Sequence, residues 1–272
     1  MNVSVIVIAK NEIEMIANCL DSVAWADEIV VIDHASTDTT AELARKQGAV
    51  VKKAPESSSF AELRELGRSV AKSDWLLYID ADEGVTPRLM VEIRKITSNE
   101  SALDAYSIKR NNIHYGKWLQ HGGWNNDKVV RLFKASALLG WKGTIHEHAE
   151  VEGEVGSIEE PLAHLTHRNL WDGIKKSEQW TKHEAQLFLE ANHPSISSLR
   201  LIKIVMQDFF IRFFIKKAWK DGTEGTIEAI VQTINRFFVY QQLWEMQRKP
   251  SLEKTYQAIE REIMDQWQKH RE

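Results

Sequence analysis

Trp75-Leu76-Leu77-Tyr78-Ile79-Asp80-Ala81-Asp82-Glu83 is the stretch on which the reading of this chain turns. Five apolar residues make a run of strand length, and the acids begin where it stops. Carboxylates one residue apart at the C-terminal end of a buried strand lie in the crevice where open α/β sheets bind ligands. Both can turn toward one divalent cation, and a hard cation with oxygen ligands can hold a diphosphate. Taken alone, the acids also suit a plain polar turn, with Thr86 capping and Pro87 opening the next helix.

The upstream sequence weighs against the plain turn. Val3, Val5, Ile6, Val7 and Ile8 form a β-branched run, as in a strand buried on both faces. No basic segment or signal-type apolar core precedes it, so the mature chain is expected to start here. Lys10-Asn11-Glu12 follows, and then a helical pattern with Ile13, Ile16, Leu20 and Val23 on one face. Residues 28–32 read as a second strand ending at Asp33, and Ser36-Thr37-Asp38 as the start of a helix to Gln47, stopped by Gly48. A third strand over 49–53, a mobile loop at Ser57-Ser58-Ser59 and an amphipathic helix over 60–71 with Arg64 and Arg68 complete the series. This β-α-β-α-β-α-β order implies a parallel sheet covered by helices. Polar groups gather where strands one, two and four end, which reads as a nucleotide site.

Three blocks carry a resemblance: Val5 through Glu12, Val31-Ile32-Asp33-His34-Ala35-Ser36-Thr37-Asp38-Thr39-Thr40, and Trp75 through Glu83. In order and spacing they resemble the signature blocks of family 2 glycosyltransferases with the GT-A fold. Val129-Val130-Arg131-Leu132-Phe133, Ile145-His146-Glu147 and Pro161-Leu162-Ala163-His164 are similar to the acceptor half of the branch that includes the lipopolysaccharide core β-glucosyltransferases. The resemblance, which covers most of residues 1–180, implies an α/β GT-A fold, with a Rossmann-like, mostly parallel sheet and helices on both faces. It implies a catalytic domain over 1–168, divided into a nucleotide-sugar half (1–100) and an acceptor half (101–168); the residue pattern beyond it predicts a C-terminal helical extension over 169–272.

The implied activity is inverting, metal-dependent transfer from a nucleotide-diphospho-sugar, with UDP the expected nucleotide, to a glycan or lipid-linked acceptor. Carried over by residue, Ala9, Asn11 and Glu12 would lie by the nucleoside, with Glu12 toward the ribose. Asp33 would accept from the base, which suits the N3–H of uracil. Arg64 would lie near base and phosphates, Asp80 would bind ribose or the metal's water shell, and Asp82 would ligate Mg²⁺ or Mn²⁺. His34, Ala35, Thr39 and Glu65 depart from the family's usual residues in these loops. Attack on an anomeric carbon with inversion needs a carboxylate to take the acceptor proton. Glu147 occupies the family's His-Glu position and is the first candidate; Asp127 is the second, and a structural role for either is open.

Between the strands expected at 104–110 and 128–133, the segments 114–118 and 121–127 are rich in aromatics, glycine and amides. Flat rings stack on apolar sugar faces, so Trp118 and Trp124 are candidate acceptor contacts; the alternative is a hairpin that packs on the sheet. Ten histidines include no closed zinc set of standard spacing. One of them, His146 or His164, is the candidate to assist the catalytic metal or a phosphate.

The chain has 272 residues, 43% hydrophobic and 27% charged, as in ordinary globular proteins. Its net charge of −4 and lack of a basic motif give no reason to expect nucleic acid as a partner. The single cysteine, Cys19, rules out an internal disulfide and suits a reducing, cytoplasmic compartment. No apolar run reaches transmembrane length. From about residue 170 the pattern is helical. Residues 195–219 hold Phe209, Phe210, Phe213 and Phe214 with Arg200, Lys203, Arg212, Lys216 and Lys217 against Asp208. That composition suits a helix lying in a membrane interface, at the inner face of the cytoplasmic membrane, or one packed on its neighbours or a second subunit. Gly222 and Gly225 are expected to break the chain before two further helices.

Two other function classes compete. A sugar nucleotidyltransferase also sets acids on Mg²⁺, but needs a glycine-rich phosphate loop where this chain reads Ala9-Lys10-Asn11-Glu12. A non-catalytic glycan-binding protein on the same scaffold would be expected to lose Asp80 and Asp82, and both are present.

Overall fold

The computed structural model describes residues 2–143 and 147–271, with the side chains of all of these except 172, 175, 176 and 179. The chain forms two compact units, one of Met1–Leu119 with Trp124–Thr166, the other of Gln120–Gly123 with His167–Glu272.

In the first unit, β1 (Val3–Ala9) is buried along its whole length. It pairs in parallel with β2 (Glu28–His34), while β3 (Val50–Ala54) extends the parallel half beyond β2. The connecting helices are α1 (Ile16–Ser22), α2 (Thr40–Lys46) and α3 (Phe60–Val70). On its other side β1 pairs in parallel with β4 (Trp75–Asp80). The short β5 (Glu83–Gly84), α4 (Pro87–Thr97), β6 (Ala105–His114), β7 (Lys117–Trp118) and β8 (Lys128–Lys134) follow. β9 (Leu138–Lys142), β10 (His148–Val151) and β11 (Val155–Leu165) complete the unit. Among the described residues the sheet order is β3-β2-β1-β4-β8-β6-β11-β5, with β7 on β6, and β9 and β10 form a separate antiparallel pair. The half carrying β1 to β4 is parallel, and β8 pairs antiparallel with both β4 and β6.

Side chains alternate across a strand, and β1 feeds two cores. Val3, Val5, Val7 and Ala9 join the cluster with α1, α2 and α4, including Leu20, Ala44, Leu89 and Ile93. Ile6 and Ile8 join the opposite cluster with Leu63 of α3 and Leu138 of β9. The Rossmann-like α/β fold with helices on both faces is therefore as expected.

Several element ends differ from expectation. α1 starts at Ile16, and Ile13 is 44% exposed, because Glu12 to Met15 form a turn whose Met15 N–H donates to the Glu12 carbonyl at 3.0 Å. Residues 36–38 are not helical; the Asp38 carboxylate accepts from Thr40 N at 3.0 Å, at the start of α2. Ser59, expected in a loop, forms a capping box with Glu62 that starts α3.

The second unit is helical: α5 (Leu170–Glu190), α6 (Ser198–Phe210), α7 (Gly222–Gln247) and α8 (Leu252–Arg271). The single helix expected over 195–219 is broken. α6 passes into a π-helical turn at Ile211–Ile215, Lys217 takes φ 59°, and a 3-10 turn follows at Ala218–Asp221. Gly222 marks the break with φ 71°, whereas Gly225 lies inside α7. A Cβ on Gly225 would fall 2.3 Å from the Ala218 carbonyl oxygen, so glycine there serves close approach. Asp221 holds the short segment 120–123, accepting from Gln120 N at 2.9 Å and His121 N at 2.7 Å. Among the described residues no helix is long and apolar enough to cross a membrane.

Candidate active site

Parallel register aligns the strand ends. Ala9 is paired with Asp33, and Ile8 with Asp80, so β1, β2 and β4 release their loops side by side. The first two loops are stitched together. Asn11 takes φ 56°, and its side-chain oxygen accepts from Thr37 N at 2.7 Å. Asn11 N donates to Ser36 Oγ at 3.0 Å, and Glu12 N to Thr40 Oγ1 at 2.9 Å. Asp33 is buried, with Oδ1 accepting from Ser36 N at 3.2 Å. Asn11 and Ala35 both adopt the left-handed region (Ala35 φ 54°), which asparagine tolerates better than alanine.

Asp80 stands between two buried guanidinium groups. Arg131 Nη2 donates to Oδ2, and Arg64 Nη2 to Oδ1 at 3.3 Å. Burial alone would raise the pKa of Asp80, but the charges of Arg131 and Arg64 outweigh it and hold the carboxyl well below the usual range. Arg64 reaches further: its Nε donates to Glu147 Oε1 at 2.9 Å. Its guanidinium lies 4.9 Å from the Trp141 ring centroid, a cation–π contact that fixes its plane. Behind Asp80, Glu83 is fully covered. One oxygen accepts from Asp80 N at 2.8 Å; the other faces Arg131 at 3.4 Å and Arg110 at 3.5 Å. Burial raises the Glu83 pKa, Arg131 opposes this, and the neighbouring Asp80 charge adds to the rise.

A second chain of contacts ends at Asp82. Arg110 grips Asp127 with two donors at 2.9 Å each. Burial pulls the Asp127 pKa up, but hydrogen bonds from Arg110 and Asn112 bring it below the ordinary aspartate value. Asn112 Nδ2 donates to Asp127 Oδ2 at 3.0 Å, which leaves Asn112 Oδ1 to accept from His164 Nδ1 at 2.6 Å. That bond makes Nδ1 the donor and leaves Nε2 facing Asp82, 3.6 Å away. A carboxylate oxygen and an imidazole nitrogen could share one divalent ion after closing to about 3.0 Å, the separation of adjacent octahedral ligands on bonds of about 2.1 Å. The donor set fits Mg²⁺ or Mn²⁺, and the outer hydrogen bonds orient the imidazole as such sites require.

Of the other expected site residues, Trp118 is exposed in β7, paired with Ile113 of β6, and the Trp124 ring lies 4.4 Å from that of His114. His146 lies outside the described residues. Arg64 is 4% exposed and donates to both Asp80 and Glu147. Arg131, Glu83, Arg110, Asn112 and Trp141 were not singled out from sequence. Arg131 had a signal: a cation inside an apolar strand must find a buried counter-charge.

The family model described as "Glycosyl transferase family 2" matches residues 4–147, more than half of the chain. The chain belongs to this family. An uncharacterized glycosyltransferase of Rickettsia conorii is 28% identical over 259 residues, covering 91% of both chains. The lipopolysaccharide core biosynthesis glycosyltransferase LpsC of Rhizobium meliloti is 23% identical, over 89% of this chain and 92% of its own. The structure of Staphylococcus aureus TarS 1-349 in complex with UDP-GlcNAc superposes with a TM-score of 0.47 at 14% identity, covering 92% and 93% of the two chains. As a family 2 member with relatives so named, the protein is a glycosyltransferase.

Proposed function

We propose that this glycosyltransferase inverts the anomeric centre while moving a sugar from a UDP-sugar to a glycan of the lipopolysaccharide core type, carried by lipid at the cytoplasmic face of a membrane. The observation that carries the reading is the double grip of Arg64, which ties Glu147 to Asp80 one residue from the Asp82–His164 pair.

In this reading Asp82 and His164 hold Mg²⁺ or Mn²⁺, which neutralises the leaving diphosphate as a Lewis acid. Asp33, at the end of β2 beside Ala9, takes the N3–H of uracil, and the Asn11–Glu12 turn borders the nucleoside. Asp80, held by two arginines, is an anchor that sets the turn leading to Asp82. Glu147 removes the acceptor proton. Asp127 suits that role less, since its hydrogen bonds from Arg110 and Asn112 lower its pKa below the ordinary aspartate value. The core-glycan acceptor is supported by the likeness to LpsC, and Trp118 and Trp124 supply ring faces for its sugars.

A screen of nucleotide sugars for Mn²⁺-dependent hydrolysis and thermal protection tests the reading directly, with UDP-sugars expected to score. Asp82→Asn should abolish transfer and weaken Mn²⁺ binding in a metal titration while leaving the melting curve near that of the parent. Full activity of that variant in chelator would overturn the metal assignment.

A further inference from the structure

The outer face of α6 and the turns after it combine an apolar stripe with lysines. Leu199, Ile202, Met206, Phe210 and Phe214 are 52% to 82% exposed. Their spacing of three or four residues puts them on one helix face. The stripe runs into the π turn at Ile211–Ile215, where the Phe214 ring lies 5.2 Å from that of Phe210. Ile215 and Trp219 extend the exposed apolar surface.

Lys203, Lys216, Lys217 and Lys220 are all exposed along the same stretch. Asp208, the acid among residues 199–220, is half-buried and bonded to Arg212 at 2.8 Å. The surface is therefore basic on a chain whose net charge is −4. Rings and aliphatic chains flanked by ammonium groups match the boundary between acyl chains and anionic headgroups, where lysine stems lie along apolar surface and their tips reach phosphate. A second copy docked by two-fold symmetry would set these lysines near their equivalents, which like charge opposes.

We propose that this face docks the protein on an anionic lipid surface, with Ile202, Met206, Phe210 and Phe214 entering the interface and the four lysines meeting headgroup phosphates. The docking rests on the proposed membrane-carried acceptor for its use, not for its occurrence. Flotation of the full chain tests it, with vesicles of phosphatidylcholine alone and with added phosphatidylglycerol. Binding is expected only with phosphatidylglycerol at low salt, and should fade as salt screens the lysines. Lys203→Glu with Lys217→Glu should weaken it at least tenfold, as should Ile202→Ser with Met206→Ser, each variant first checked for a parental melting curve.

Protein left in the soluble fraction with anionic vesicles at low salt would overturn the proposal, as would binding indifferent to both variant pairs. Sedimentation showing a dimer that the Ile202→Ser, Met206→Ser variant dissolves would assign the face to a second copy instead. UDP-sugar hydrolysis, measured without vesicles, reports on the transferase reading independently of these outcomes.

Discussion

Glu147 is the residue whose proposed role is most directly testable. Its carboxylate is met by Arg64, and Arg64 is in turn pinned by Asp80 and the Trp141 ring. Glu147→Gln keeps the shape and removes the carboxylate proposed as the proton acceptor. Transfer should fall by roughly 10²–10⁴ with UDP affinity nearly unchanged, measured by steady-state kinetics and calorimetry. If Asp127→Asn shows that pattern and Glu147→Gln does not, the two roles are reversed. Asp127 should register in stability instead. Its folded pKa lies below the ordinary value, so its ionised contacts with Arg110 and Asn112 add stability at pH above the ordinary aspartate pKa of about 3.9. That contribution is lost as pH falls through the lower folded value. The melting-temperature gap between parent and Asp127→Asn should therefore be widest near neutrality and close on acidification.

Between elements, the fit of α3 onto β1 governs where Arg64 can reach. Gly67 lies on the face of α3 that meets the sheet, and a Cβ there would come within 2.4 Å of Ile6 Cγ2. Gly67→Ala must push the helix outward or force Ile6 from its rotamer, a cost of about 1–3 kcal/mol. Because Arg64 is one turn earlier on the same helix, the shift should also loosen its bonds to Asp80 and Glu147. Urea unfolding should show the stability loss, and kinetics a fall in transfer larger than the fraction unfolded explains. An unchanged urea midpoint would mean that the helix yields freely.

Taken whole, the molecule has cores of unequal size. The first unit closes two clusters around β1 and β4, whereas the second is built on Ala185, Ile196, Val239 and Leu243, and α8 has no buried residue. Local stability follows buried apolar contact. Hydrogen exchange should be slowest in β1 and β4, faster in α5 to α7 and fastest in α8. Equal protection of α8 and β1 would show that something covers α8 in solution.

The parallel half of the fold and its acids were legible in the residues because they are local properties. A β-branched run, a strand-length apolar run and acids at its end need only neighbours along the chain to be read. Thr86 capping and Pro87 opening α4 are of the same kind. The arginine braces were not legible. Arg64 and Glu147 are 83 residues apart, and Arg131 and Asp80 are 51 apart, so only the closed sheet brings them together. The break in the 195–219 segment also escaped a pattern search, since the π turn shifts the helical period by one residue. Which phenylalanines face outward was decided by packing, with Phe210 and Phe214 exposed and Phe209 and Phe213 half-buried. Chain order wrote the strands and the acids into this protein, while long-range packing chose their partners, because a buried charge takes whichever counter-charge the fold delivers.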